Sequence, residues 1–149
     1  MVTAAEFKRL PEPIAPSCSL QARMASFLHT CYRIGEIERS VEFYSKLGFE
    51  EARRMPIGDE AINVFMAMPG EDQARLELTY NHGVGDYELG TGYNHIALLV
   101  DDLDATIGRL AEEGIKPEKP PYRPGRRTEG HRICFVRDPD GYRIELIGE

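Results

Sequence analysis

The sequence predicts an α+β fold built from two tandem βαβββ modules, and three observations predict it. Two histidines, each inside a strand-like apolar run, stand 66 positions apart: His29 in "FLHTCYRI" (27–34) and His95 in "YNHIALLV" (93–100). Behind each comes an apolar stripe at i, i+4, i+7 spacing, Ile37, Val41 and Tyr44 in the first copy and Leu103, Ile107 and Leu110 in the second, again displaced by 66. Each half then closes on an Arg-aliphatic-Glu-Leu run, "ARLELTY" (74–80) and "YRIELIG" (142–148). The last offset is 68, so the second copy carries a net two extra residues; self-similarity at a near-constant offset is the mark of a repeated structural unit.

The elements follow in order. Residues 1–25, rich in Pro, Ala and Ser, precede the repeat and read as an N-terminal arm or a disordered tail. Module one (26–82) opens on the first His-bearing strand. Its helix meets Gly48 in "KLGFE", a residue suited to the left-handed position that ends a helix. Two extended stretches follow, "FEEARRM" and "AINVFMAM", then the turn "PGED" and the Glu-bearing strand. Module two (92–149) repeats the plan with Gly114 in "EEGIK", the stretches "IKPEKPPYR" and "HRICFVR", and the turn "DPDG". A unit of about 55 residues buries too little to be stable alone, so the two modules are expected to pack together as one domain, 26–149, or across a dimer.

The totals narrow the function classes. A length of 149 residues points to one compact unit, and 42% hydrophobic with 29% charged residues is ordinary for a soluble protein. No apolar run approaches the roughly 18 residues that span a membrane, and the N-terminus has no apolar signal core, so a cytoplasmic location is expected. Three cysteines, Cys18, Cys31 and Cys134, have no framework spacing, which suits free thiols in a reducing compartment. A net charge of −7 opposes nonspecific nucleic-acid binding. An anionic small molecule would need a local basic patch.

Alternation along the strands separates two faces. His29, Cys31 and Arg33 share one face of the first strand, and Glu77, Thr79 and Asn81 share one face of the last strand of module one. In module two His95 and Ala97, then Arg143 and Glu145, repeat the arrangement. The opposite faces are apolar and belong under the helices, so the His and Glu side chains project into a candidate cleft. A single strand histidine is more often a hydrogen-bonded core residue than a ligand, and a strand glutamate more often a solvated one. Recurrence at matching positions favours ligation: two imidazoles and two carboxylates make a plausible site for a divalent ion such as zinc, nickel, cobalt, iron or manganese. His82 and His131 lack such partners and read as surface or turn residues, and Arg33 on this evidence alone would pair with Glu36 or Glu38.

The stretches "FLHTCYRIGEIERSVEFYSKLGF", "RLELTYNHGVGDYELGTGYNHIALLVDDLDAT" and "FVRDPDGYRIELI" resemble glyoxalase I enzymes of the vicinal oxygen chelate superfamily, from about residue 26 onward. The resemblance implies an open, cupped mixed sheet of the glyoxalase/bleomycin resistance/dioxygenase-like fold and a homodimer whose site draws on both modules. Matched to the family motif, His29, Glu77, His95 and Glu145 fall on the metal ligands, and Arg33 and Asn81 on positions that hold glutathione. Only 18 positions separate Glu77 from His95, which resembles the compact bacterial class and favours nickel or cobalt over zinc. Three departures stand out: "FYSKLGF" is one residue short, Asn94 replaces a more usual Gly, and the loop "PPYRPGRRTEGHR" is long and arginine-rich.

The implied reaction isomerises the methylglyoxal–glutathione hemithioacetal to S-lactoylglutathione. It needs a base and a means of holding enediolate charge; the carboxylates supply the first and the ion the second. Glu145 is expected to be the base and Glu77 the partner that returns the proton. Arg33, with Lys119, Arg123, Arg126 or Arg127, would offset the substrate's charge. The rival readings are an epimerase or dioxygenase of the same fold, against which Glu77 counts, and a sequestering protein without chemistry, which need not keep four ligands.

Overall fold

A computed structural model describes residues 25–126 and 128–149; the expected N-terminal arm, apart from Ala25, lies outside the described residues. The chain runs β1 (Thr30–Ile34), α1 (Ile37–Lys46), β2 (Glu50–Ile57), β3 (Ala61–Ala67), β4 (Leu76–Asn81), β5 (His95–Leu99), α2 (Leu103–Glu112), β6 (Arg132–Arg137) and β7 (Arg143–Gly148). Both helices begin on a carboxylate cap. Glu36 accepts from the backbone of Glu38 and Arg39, and Asp102 from that of Ala105, which satisfies amide hydrogens that the first helical turn cannot. Gly48 and Gly114 end the helices at φ of 101° and 80°, backbone that favours glycine. Arg109 of α2 donates to the carbonyl of Lys46 at 2.7 Å, so one helix caps the C-terminus of the other.

The strands form two mixed sheets, β1-β4-β3-β2 and β5-β7-β6, with β1–β4 and β5–β7 parallel and the other pairs antiparallel. Here the structure departs from the expected five-element repeat. The stretch 115–123 of module two is not a ladder strand; it touches the sheet through a single bridge, Tyr122 to Ile133, and one bond from Glu118 N to Phe135 O at 2.8 Å. Pro117, Pro120 and Pro121 remove three backbone donors from it, which is incompatible with continuous pairing.

Alternation came out as the residue pattern requires. Tyr32 and Ile34 of β1, Leu76 and Leu78 of β4, Ile144 and Leu146 of β7 are buried, and Ser40, Phe43, Tyr44, Leu103 and Leu110 of the helices pack down onto them or beside them. One core takes residues from both modules. Each of these fully buried aliphatic side chains contributes about 1.5–3 kcal/mol of transfer free energy, so sharing the core offsets what neither module could supply alone.

The "DPDG" turn does more than reverse the chain. Asp138, 5% exposed, accepts from Tyr44 Oη at 2.8 Å and from the amides of Asp140 and Tyr142. Asp140 accepts from the Gly35 amide at 3.0 Å, from Arg39 and from Ser40. Asp140 of module two thereby holds the β1–α1 corner of module one, and Asp138 the last turn of α1. Gly35 is required there, because a Cβ would overlap the carbonyl of Gly85.

Candidate metal and substrate site

The first cluster forms where β1 and β4 run parallel. His29 lies one residue ahead of β1, and its Nε2 is 2.8 Å from Oε2 of Glu77 on β4. Glu77 is buried, and its second oxygen accepts from Thr79 Oγ1 at 3.1 Å. Thr79 also bonds Asn63 and contacts the Cys31 sulfur at 3.2 Å. Desolvation pushes the Cys31 thiol above its ordinary value, with Thr79 pulling the other way.

The second cluster repeats the first at the head of β5. His95 stands opposite Arg143 in the β5–β7 register, and Glu145 follows two residues along β7 on the same face. His95 Nε2 is 3.1 Å from Glu145 Oε2. Among the described residues this is the one polar side-chain contact of Glu145, whereas both oxygens of Glu77 are engaged.

A pair of aromatic rings completes the correspondence. Phe65 of β3 lies opposite Glu77, and Phe135 of β6 opposite Glu145. Each presents an edge-on contact to the local imidazole, at ring-centre distances of 5.8 Å for His29 and 5.2 Å for His95. Each also carries a guanidinium on its face, Arg53 over Phe65 at 4.1 Å and Arg143 over Phe135 at 3.9 Å. Sequence reasoning missed these rings. The signal was present, since both third-strand segments read as small apolar–Phe–apolar ("VFM", "CFV"), but Phe65 precedes Glu77 by 12 positions and Phe135 precedes Glu145 by 10, which hides the match.

The four predicted ligands do not meet in one chain. Among the described residues no group of three or more His, Cys, Asp or Glu side chains is arranged to hold an ion. What one chain provides is two separate imidazole–carboxylate pairs. Their faces are open, and apolar side chains stand uncovered on them: Met55 and Ile57 on the sheet of Glu77, and Leu99, 65% exposed, on the strand of His95.

The other expected residues fall as follows. Arg33 is exposed on the His29 face and is not taken by its sequence neighbours, because Glu36 caps α1 and Glu38 pairs with Arg54. Asn81, at the end of β4 on that face, donates to Tyr87 Oη at 2.9 Å. Arg123 bonds the Gly130 carbonyl, Lys119 is exposed, Arg126 ends a 3-10 turn (Pro124–Arg126), and Arg127 lies outside the described residues. His82 packs edge-on against Tyr80, and His131 Nδ1 is buried without a partner among the described residues. No described helix is long and apolar enough to cross a membrane.

A family model described as the Glyoxalase/Bleomycin resistance protein/Dioxygenase superfamily matches residues 26–146. The lactoylglutathione lyase of Escherichia coli O157:H7 is 41% identical over 127 residues, covering 82% of this chain and 91% of that protein. The lactoylglutathione lyase GLX1 of Arabidopsis thaliana is 37% identical over 81% of this chain, which spans only 43% of the plant protein's length. Among solved structures, the trypanothione-dependent glyoxalase I of Leishmania major superposes with a TM-score of 0.71 at 34% identity, covering 84% of this chain and 87% of that one.

Proposed function

Because the chain belongs to the Glyoxalase/Bleomycin resistance protein/Dioxygenase superfamily, we propose that it acts as a metal-dependent lactoylglutathione lyase, isomerising a methylglyoxal–glutathione hemithioacetal to S-lactoylglutathione. The observation that carries this reading is the doubled His–Glu pair, 2.8 Å and 3.1 Å across. Two such pairs make a donor set of two imidazole nitrogens and two carboxylates, which fits a divalent ion; nickel or cobalt is preferred and zinc is the alternative. Because each chain holds the pairs apart, the complete set would come from two copies of the chain, with His29 and Glu77 of one facing His95 and Glu145 of the other. A homodimer would also cover Met55, Ile57 and Leu99, which the single chain leaves exposed.

When bound, a divalent ion in this set supplies Lewis-acid stabilisation of the charge that develops on the substrate's two adjacent oxygens. The proton work falls to the carboxylates. Glu145 takes the proton from the carbon that carries sulfur, and a proton is delivered to the neighbouring carbon, by Glu77 in the pseudo-symmetric role. The asymmetry of their contacts supports that division, since Glu145 is held through one oxygen and Glu77 through two. Arg33, free of Glu36 and Glu38, and Asn81 would hold the thiol moiety, Arg33 by pairing with its carboxylate.

The test is Glu145→Gln, followed through the ultraviolet absorbance of the thioester product. Turnover should vanish while binding of glutathione derivatives stays measurable. Full activity in that variant would remove Glu145 from the mechanism.

A further inference from the structure

We infer that Asn94 is a positioning residue for His95: its side-chain oxygen holds the hydrogen of Nδ1 and thereby assigns Nε2 to the metal. The inference rests on the reading of His95 as a ligand, and the geometry supplies its own logic. His95 Nδ1 lies 2.6 Å from Asn94 Oδ1, a contact that by itself does not say which group donates. Arg143 decides it. Its Nη1 approaches the same Oδ1 atom at 3.1 Å, and a guanidinium has donors only. The atom between them must therefore be the amide oxygen, and the hydrogen in the contact must sit on Nδ1. That leaves Nε2, the nitrogen facing Glu145, to give its lone pair to an ion.

Arg143 is itself immobilised. Its Nε and Nη2 donate to the two oxygens of Glu118 at 3.0 and 2.8 Å, Arg137 binds the same carboxylate at 2.7 Å, and the guanidinium stacks on Phe135. Hydrogen bonds from Arg143 hold Glu118 below the usual carboxylate range, so the bidentate pair persists at neutral pH. The chain Glu118–Arg143–Asn94–His95 thus orients one imidazole through three successive polar contacts. Module one has nothing comparable, because the position equivalent to Asn94 is Leu28. Partners that hold the second nitrogen of a ligating histidine raise metal affinity about 10- to 100-fold, which gives the two otherwise matched half-sites unequal grip.

The experiment compares wild-type, Asn94→Ala and Asn94→Asp proteins for nickel and cobalt affinity by competition with a chromophoric chelator. Because Asn94 is exposed, thermal unfolding of the metal-free proteins should be unchanged. Asn94→Ala should bind each ion at least about ten-fold more weakly, and Asn94→Asp, which keeps an acceptor, should match or exceed wild type. In the cobalt-loaded protein one of the exchangeable imidazole N–H resonances should be lost or strongly shifted in Asn94→Ala alone. Equal affinity of Asn94→Ala and wild type, or equal weakness of Asn94→Ala and Asn94→Asp, would overturn the inference while leaving the metal site standing. A wild-type protein that binds neither ion would instead overturn the metal reading, and this inference with it.

Discussion

Tyr44 of α1 donates its hydroxyl to Oδ2 of Asp138, 94 residues away, at 2.8 Å inside the shared core. This contact joins the helix of one module to the turn of the other. Burial raises the Asp138 carboxyl above the ordinary 3.8, against the pull of Tyr44 and of the turn amides. Asp138→Ala strands a buried hydroxyl and two amide hydrogens and should cost about 3 kcal/mol of unfolding free energy, whereas Asp138→Asn, which can accept the two amides, should cost about 1 kcal/mol. The sign of the pH effect follows from the raised value: between the unfolded and the folded pKa the folded state binds more protons, so this residue's contribution is full below 3.8 and falls as pH rises through the higher folded value. Urea titrations of wild type minus Asp138→Asn across that window should show the fall, and a difference that rises with pH would contradict it.

Gly35→Ala should destabilise through the β1–α1 corner that Asp140 holds. Its Cβ would overlap the Gly85 carbonyl, a backbone atom that cannot rotate away, and would crowd Asp140. The expected loss is about 3 kcal/mol, read as a lower urea midpoint at unchanged slope. A neutral result would mean that the 83–94 segment moves aside without cost.

Separation of the two His–Glu pairs makes a mixing experiment decisive for the assembly. A variant with His29 and Glu77 both changed to Ala, and another with His95 and Glu145 both changed to Ala, should each be inactive. Coexpressed, they would form one intact site in each mixed dimer, recovering about a quarter of wild-type activity. Continued inactivity in the mixed dimers would place each site within a single chain.

Removal of metal by a chelator should abolish turnover, and nickel or cobalt should restore it further than zinc. The same additions should raise the midpoint of thermal unfolding, further for the ion that binds the folded form more tightly. Undiminished activity after complete chelation, verified by metal analysis, would exclude an essential ion.

Much of this was legible from residues alone because it depends on local periodicity. The i, i+4, i+7 stripes place Ile37, Val41 and Tyr44, or Leu103, Ile107 and Leu110, on one helix face, and strand alternation sends His29 and Glu77 away from Tyr32 and Leu78. "DPDG" was legible as a turn but not as the clamp on Gly35, Arg39, Ser40 and Tyr44, since contacts across about a hundred residues leave no periodic trace. Residues 115–123 occupy the place of an extended stretch in the repeated plan, but Pro117, Pro120 and Pro121 argue locally against pairing.

Repetition within the sequence by itself determined that there are two modules, which way their side chains face, and that each carries one imidazole and one carboxylate at matching places. Only the tertiary structure decided that these four groups stand as two separate pairs, that Phe65 and Phe135 back them, and that Asn94 and Arg143 meet beside His95. The reason is physical: periodicity fixes the direction in which a side chain leaves its strand, but the distance between two such faces depends on how the sheets pack, and that is set by core contacts far apart along the chain.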